Sequence, residues 1–169
     1  MPRADLVRVR LLSCPESVPL ARHLLARALR PAWDQPVIDA AVLCLSELVT
    51  NAVQAIAATP QGEQTTAEQD VTVVASWDEE PPRLRIEVTD PAPGSPAAPR
   101  DGPGTDLAEH GRGLELIALL AAAWGVEPAA ETKTVWCELS PHQTTTHEES
   151  PHRNGHSGNR THLTEEVPV

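Results

Sequence analysis

Between Leu6 and Leu12 apolar residues alternate with Arg8 and Arg10, the period-two pattern of a half-buried strand. Ser17 then reads as a helix cap with Pro19 tolerated in the first turn. Leu20, Ala21, Leu24, Leu25 and Ala28 follow a period near 3.6 and predict a helix that stops before Pro31. A second helix is predicted from about Pro36, where Ile38, Val42, Leu45, Val49, Ala52 and Ile56 form one buried stripe and Pro60-Gln61-Gly62 closes the run. Val71, Val73, Ala75 and Trp77, then Leu84, Ile86 and Val88 beyond the Glu79-Glu80-Pro81-Pro82 turn, predict an antiparallel hairpin. The stretch from Pro91 to His110 holds five prolines and three glycines and has no period. A loop of that length in a compact domain is usually a functional lid or an insert. Leu114, Ile117, Ala118 and Ala121 mark a third helix, Trp124 to Pro128 a short strand, and Thr134 to Leu139 a last strand.

The order strand, helix, helix, two strands, helix, two strands predicts an α+β two-layer sandwich. Its sheet should be mixed, mainly antiparallel, and covered by helices on one face. Residues 1–140 would form this single domain. From residue 141 to 169 the chain turns to His, Thr, Glu, Asn and Gly, a composition that predicts a disordered tail. The tail carries His142, His147, His152, His156 and His162, whose spacing in a flexible segment does not preorganise a metal site.

Composition narrows the partners. With no Phe, no Tyr and four tryptophans, stacking platforms for single-stranded nucleic acid are missing. A formal charge of -11 repels phosphate backbones and anionic lipid, so neither direct nucleic-acid binding nor membrane binding is expected. Cys14, Cys44 and Cys137 lack metal-ligand spacing and read as small buried hydrophobes in a reducing compartment. Residues 1–5 lack the apolar stretch of a signal peptide, and the expectation is a cytoplasmic protein.

Three segments could carry chemistry. Glu47 and Asn51 lie one turn apart on the second helix, off its main apolar stripe, with no Lys or Arg anywhere between Arg30 and Arg83. An exposed polar face is the simplest account of them. The alternative is a polar guest, because their neighbours Ala40, Leu43, Cys44 and Ala55 are apolar and a covered carboxylate needs something polar to meet it. Magnesium with a triphosphate would suit, Asn51 offering a hard oxygen ligand and Glu47 a base. Asp90, ahead of Pro91-Ala92-Pro93-Gly94, is either a strand-ending turn residue or an acceptor for an exocyclic amine. His110-Gly111-Arg112-Gly113-Leu114 is expected where the long loop enters a helix, so that free backbone N–H groups and the positive helix end welcome an anion. It is neither a dinucleotide-binding fingerprint nor a Walker loop.

Taken in order, these segments resemble the histidine-kinase-like ATPase superfamily with its Bergerat fold, and most closely its anti-sigma-factor serine/threonine kinase branch. Glu47-Leu-Val-Thr-Asn51-Ala is similar to the N box, Asp90 to Gly94 to the first glycine box, Gly111-Arg-Gly113-Leu114 to the second, and Thr132-Lys-Thr134-Val-Trp136 to the closing strand. The resemblance implies ATP and Mg²⁺ as cofactors. Asn51 would bind the metal and Glu47 would act as general base. Asp90 would accept from the adenine amine with the Thr134 hydroxyl assisting, and Gly94 would let the ring approach. His110, Gly111, Arg112, Gly113 and Leu114 would surround the phosphates. The implied partners are an antagonist (STAS-like) protein that is phosphorylated on Ser or Thr, a sigma factor, and a second copy of the chain in a homodimer. Departures are Ala92 for the first glycine of the first box, Thr132 where glycine is common, and Glu109 where some members carry a basic residue. They leave a second expectation, a non-catalytic ATP-binding interaction module. A sensor histidine kinase fragment is disfavoured, because His23 sits on a short helix where a surface role is the ordinary one.

Overall fold

The computed structural model describes residues 3–59, 70–91 and 108–141, with side chains from 113 onward in the last segment. Its elements are β1 (Ala4–Leu12), α1 (Ser17–Leu29), α2 (Gln35–Ala57), β2 (Asp70–Glu79), β3 (Pro82–Asp90), α3 (Ala108–Leu120), β4 (Ala123–Pro128) and β5 (Lys133–Leu139). The five strands form one sheet in the order β1-β2-β3-β5-β4, antiparallel at every pairing. The two-layer α+β sandwich expected from the sequence is therefore present, with no parallel pair among the described strands. The expected lid between Pro91 and His110 and the tail beyond residue 141 lie largely outside the described residues.

Strand alternation sorts side chains between the two faces of the sheet. Val71, Val73 and Ala75 of β2, Leu84, Ile86 and Val88 of β3, and Val135, Cys137 and Leu139 of β5 are all buried on the helix side. Opposite them α2 runs over β3 and β5, with α1 and α3 packed against it. The buried set of α2 is wider than the predicted stripe. Ala40, Ala41, Cys44 and Leu48 join Ile38, Leu45, Val49, Ala52 and Ile56, while Val42 is only half-buried. The reason is its position: a helix touched by the sheet below and by a helix on either flank must be apolar on most sides. By length and apolar character alone α2 could cross a membrane, but here those residues make the centre of the core.

Ser17 is used differently from expectation. It is the first helical residue and donates its hydroxyl to the Leu12 carbonyl at 2.6 Å, tying α1 back to the end of β1, and no side chain caps the helix. The thiols of Cys44 and Cys137, distant in sequence, are neighbours across the α2–β5 interface; the influence of Cys44 and burial push the Cys137 thiol well above its ordinary range. Both are buried free cysteines, whereas Cys14 is half-buried.

The far face of the sheet carries charge. Arg85 on β3 bonds Glu87 at 2.9 Å, Glu138 on β5 at 3.2 Å and Glu127 on β4 at 2.8 Å, and its guanidinium stacks 4.0 Å over the Trp136 ring. Burial alone would lower the Arg85 guanidinium, but the bonds to Glu87 and Glu138 outweigh it and raise it above its ordinary value. On β4, Gly125 faces Trp136 so closely that a Cβ there would lie 2.8 Å from the indole carbon Cζ2.

Candidate functional site

Glu47 and Asn51 project from the middle of α2, and both are half-buried. What they face is Gly113 of α3. A Cβ placed on that glycine would stand 2.5 Å from Glu47 Oε2 and 3.6 Å from Asn51 Nδ2. The two helices thus meet where one has no side chain, and the space is filled by a carboxylate and an amide. Among the described residues neither group has a side-chain hydrogen bond or an ion pair. The polar guest that the sequence left as an alternative would meet a half-buried acid and a hard amide oxygen, one turn apart on a rigid core helix.

Leu114, next to that glycine, is buried in the core together with Ile117 and so anchors the start of α3. The helix begins at Ala108, earlier than the sequence suggested. His110, Gly111, Arg112 and Gly113 are thus inside its first two turns and not ahead of it. The Gly113 N–H is an intrahelical donor by position, and its contribution at the site is the missing side chain. Periodicity missed the early start because His110, Gly111 and Arg112 offer no apolar register and glycine argues against helix interior. The side chains of His110 and Arg112 lie outside the described residues, as does Gly94.

Asp90 ends β3 on the helix side of the sheet and is buried. Its register partner on β5 is Lys133. The Lys133 Nζ donates to Asp90 Oδ1 at 2.7 Å, and the two side chains are 6% and 1% exposed, so the pair is desolvated. Thr134 does not share this pocket. It points to the opposite face, where its hydroxyl lies 2.7 Å from that of Thr89 in the neighbouring strand. The inward position of β5 next to Asp90 belongs to Lys133, a residue to which the sequence reading gave no role. Two signals pointed there: Lys133 has the parity of the buried Val135 and Cys137, and it is the one lysine among thirteen basic residues. Beyond this pair, among the described residues no cluster of His, Cys, Asp and Glu could hold a metal on side chains of those types alone. Asn51 is of another type, and its amide oxygen beside Glu47 fits a cation that takes most of its ligands from phosphate and water.

Comparisons with known proteins bear on the fold and the family. The chain is similar in fold to the solved RsbU and RsbW domains of Rv1364c from Mycobacterium tuberculosis, with a TM-score of 0.57 at 18% identity. That match covers 82% of this chain but 32% of the other, so the chain spans about a third of that protein's length. Comparison with curated proteins finds no match. The sequence profile of the histidine kinase-like ATPase domain matches residues 11–137, from the end of β1 into β5 and across both polar clusters. The chain belongs to the histidine kinase-like ATPase family.

Proposed function

We propose that this chain binds ATP with Mg²⁺ and acts as an anti-sigma-factor-like serine/threonine kinase that phosphorylates an antagonist protein and thereby controls sigma-factor availability. The observation that carries the reading is the meeting of Glu47, Asn51 and Gly113 at the α2–α3 contact. The family supports ATP as the nucleotide. The likeness to a chain containing an RsbW domain supports the regulatory role.

In this reading Asn51 holds the metal through its side-chain oxygen, and Glu47 accepts the proton of a serine or threonine hydroxyl on the partner. The deprotonated oxygen attacks the γ-phosphorus, the bond to the β–γ bridging oxygen breaks, and ADP leaves. Magnesium held by Asn51 with the triphosphate would supply neutralisation of charge on the phosphoryl oxygens. Placing acid and amide on the core helix fixes both before substrate arrives, so little reorganisation remains for the chemical step. Asp90 takes the base at the other end of the cleft, and Thr134 has no part in it. A homodimer and a cytoplasmic location belong to the same reading.

The test is calorimetric titration with ATP and ADP, with and without Mg²⁺, on wild type and Asn51→Ala. Binding that requires the metal and disappears in the variant is the expected result. A folded protein indifferent to adenine nucleotides would end the proposal. Transfer is tested separately with labelled ATP and candidate antagonists. Ala92 and Glu109 favour a second reading, in which nucleotide occupancy shapes a partner surface without transfer. Partner capture that depends on ATP in a protein with no transferase activity would select it.

A further inference from the structure

Two large apolar side chains stay exposed on the helices that frame the cleft: Leu43 on α2, 41% exposed, and Leu119 on α3, 80% exposed. Leu43 stands one helical turn before Glu47, about 6 Å along the axis, on an outer stripe that is otherwise polar, with Asp39, Ser46, Thr50 and Gln54. The two helices run antiparallel. Trp33, just ahead of α2, packs on Trp77, and the rung Trp77–Leu84–Leu139 marks the end of the sheet away from Asp90. From the Gly113 contact α3 heads toward that same end, because it leads into Ala123 of β4, the register partner of Glu138. Half-buried Leu116 and exposed Leu119, three and six residues past Gly113, therefore extend from the site in the same direction as Leu43. A scattered exposed leucine needs no explanation. These adjoin Glu47 and Asn51, and the helices that carry them are without cations. Asp39 and Glu115 are exposed there, and no Lys or Arg occurs from residue 31 to 82 or from 113 to 132.

We propose that Leu43, with Leu116 and Leu119 behind it, is the surface that selects the phosphate acceptor: it takes an extended segment of the protein substrate that presents a Ser or Thr hydroxyl to Glu47 and carries Leu, Ile or Val two positions away. The inference rests on the transfer reading above and deepens it. An extended chain advances about 3.4 Å per residue and returns its side chains to one face at every second residue. A hydroxyl held at Glu47 thus brings the side chain two positions along to Leu43, and that side chain leaves water against the leucines. The charges set the rest of the segment. Asp39 and Glu115 repel an acidic neighbour of the acceptor and accept a basic or neutral one, so the surface discriminates by repulsion as well as by burial.

The experiment uses the full chain with labelled ATP and Mg²⁺ on pools of synthetic serine-centred peptides, each pool fixing one residue at one position near the serine. Wild type should favour Leu, Ile or Val over Gly by about tenfold or more at the second position on one side, and Arg or Lys over Asp or Glu beside it. On the preferred peptide Leu43→Gln should raise KM by about tenfold while kcat holds, the split expected of a group that binds the acceptor without touching the reacting atoms. Thermal melts confirm that the variant is folded. Labelling without an apolar preference overturns the proposal, and so does a Leu43→Gln protein that keeps the preference. A dimer in sedimentation that Leu43→Gln turns into a monomer would mean that a second copy covers the leucines, which overturns it equally. Peptides left unlabelled while protein antagonists are phosphorylated end this inference alone. Transfer to neither, by a protein that binds ATP, ends the kinase reading and this inference with it.

Discussion

On the open face of the sheet Arg85 meets Glu87, Glu127 and Glu138 and lies over Trp136, whereas across the helix layer Glu47 and Asn51 look at a bare glycine. Both clusters are built from polar groups on regular elements, and both are partly shielded. They differ in whether the protein answers its own charges. The open-face cluster closes on itself, each acid being bonded to the same guanidinium, and such a network tightens strand pairing without asking for a ligand. The cleft cluster has an acid and an amide with no partner among the described side chains. Unanswered polarity at a helix contact costs stability unless a guest supplies the missing half. Under the proposed function the difference separates a group that serves the fold from one that serves chemistry, and it yields perturbations with opposite signatures.

Glu47→Ala should give the largest effect: transfer to an antagonist falls by about 10²- to 10⁴-fold, the usual share of a general base, while the melting temperature holds. Phosphate incorporation under single-turnover conditions measures it, and an active variant would remove Glu47 from the role assigned to it. Gly125→Ala acts on the other side. A methyl 2.8 Å from Trp136 Cζ2 must displace the indole and with it the seat of Arg85, so urea unfolding should show a loss of about 1–3 kcal/mol with nucleotide affinity preserved. Gly113→Ala sharpens the contrast within one residue type. Alanine favours the helix by about 0.5–1 kcal/mol, yet its Cβ drives the Glu47 carboxylate aside. Stability should hold or rise while Mg²⁺-ATP affinity falls by about tenfold, a combination that neither a purely structural nor an incidental glycine would give. Arg85→Lys should be the mildest. It keeps the charge but loses the fork and the stack, and the loss in melting experiments should stay near 1 kcal/mol at these partly exposed pairs.

Much of this could be read without coordinates. All eight elements follow from periodicity, because long amphipathic runs leave little choice of face. α2 was legible as a helix covered on most sides, and from that followed the suspicion that Glu47 and Asn51 needed a guest. Less visible were features set by packing between distant segments. Nothing local says that Gly113 is the residue facing Glu47, since an i to i+4 rule describes one helix and not its neighbour. Nor does sequence spacing bring Cys44 to Cys137 across two layers. The exchange of Thr134 for Lys133 at Asp90 is the instructive case. A hydroxyl beside a family motif drew the reading one residue too far, although strand parity, already visible in Val135 and Cys137, places the lysine inward. The Ser17 hydroxyl went astray similarly, serving the Leu12 carbonyl before it and not the helix after it.

The two groups that would perform catalysis stand on the most deeply embedded of the described helices, with Cys44, Leu45, Leu48 and Val49 interleaved among them and buried. Warming therefore has no hinge there to loosen first. Catalytic competence and cooperative melting should vanish over the same few degrees, and screening for heat-resistant activity would in effect select for better interior packing.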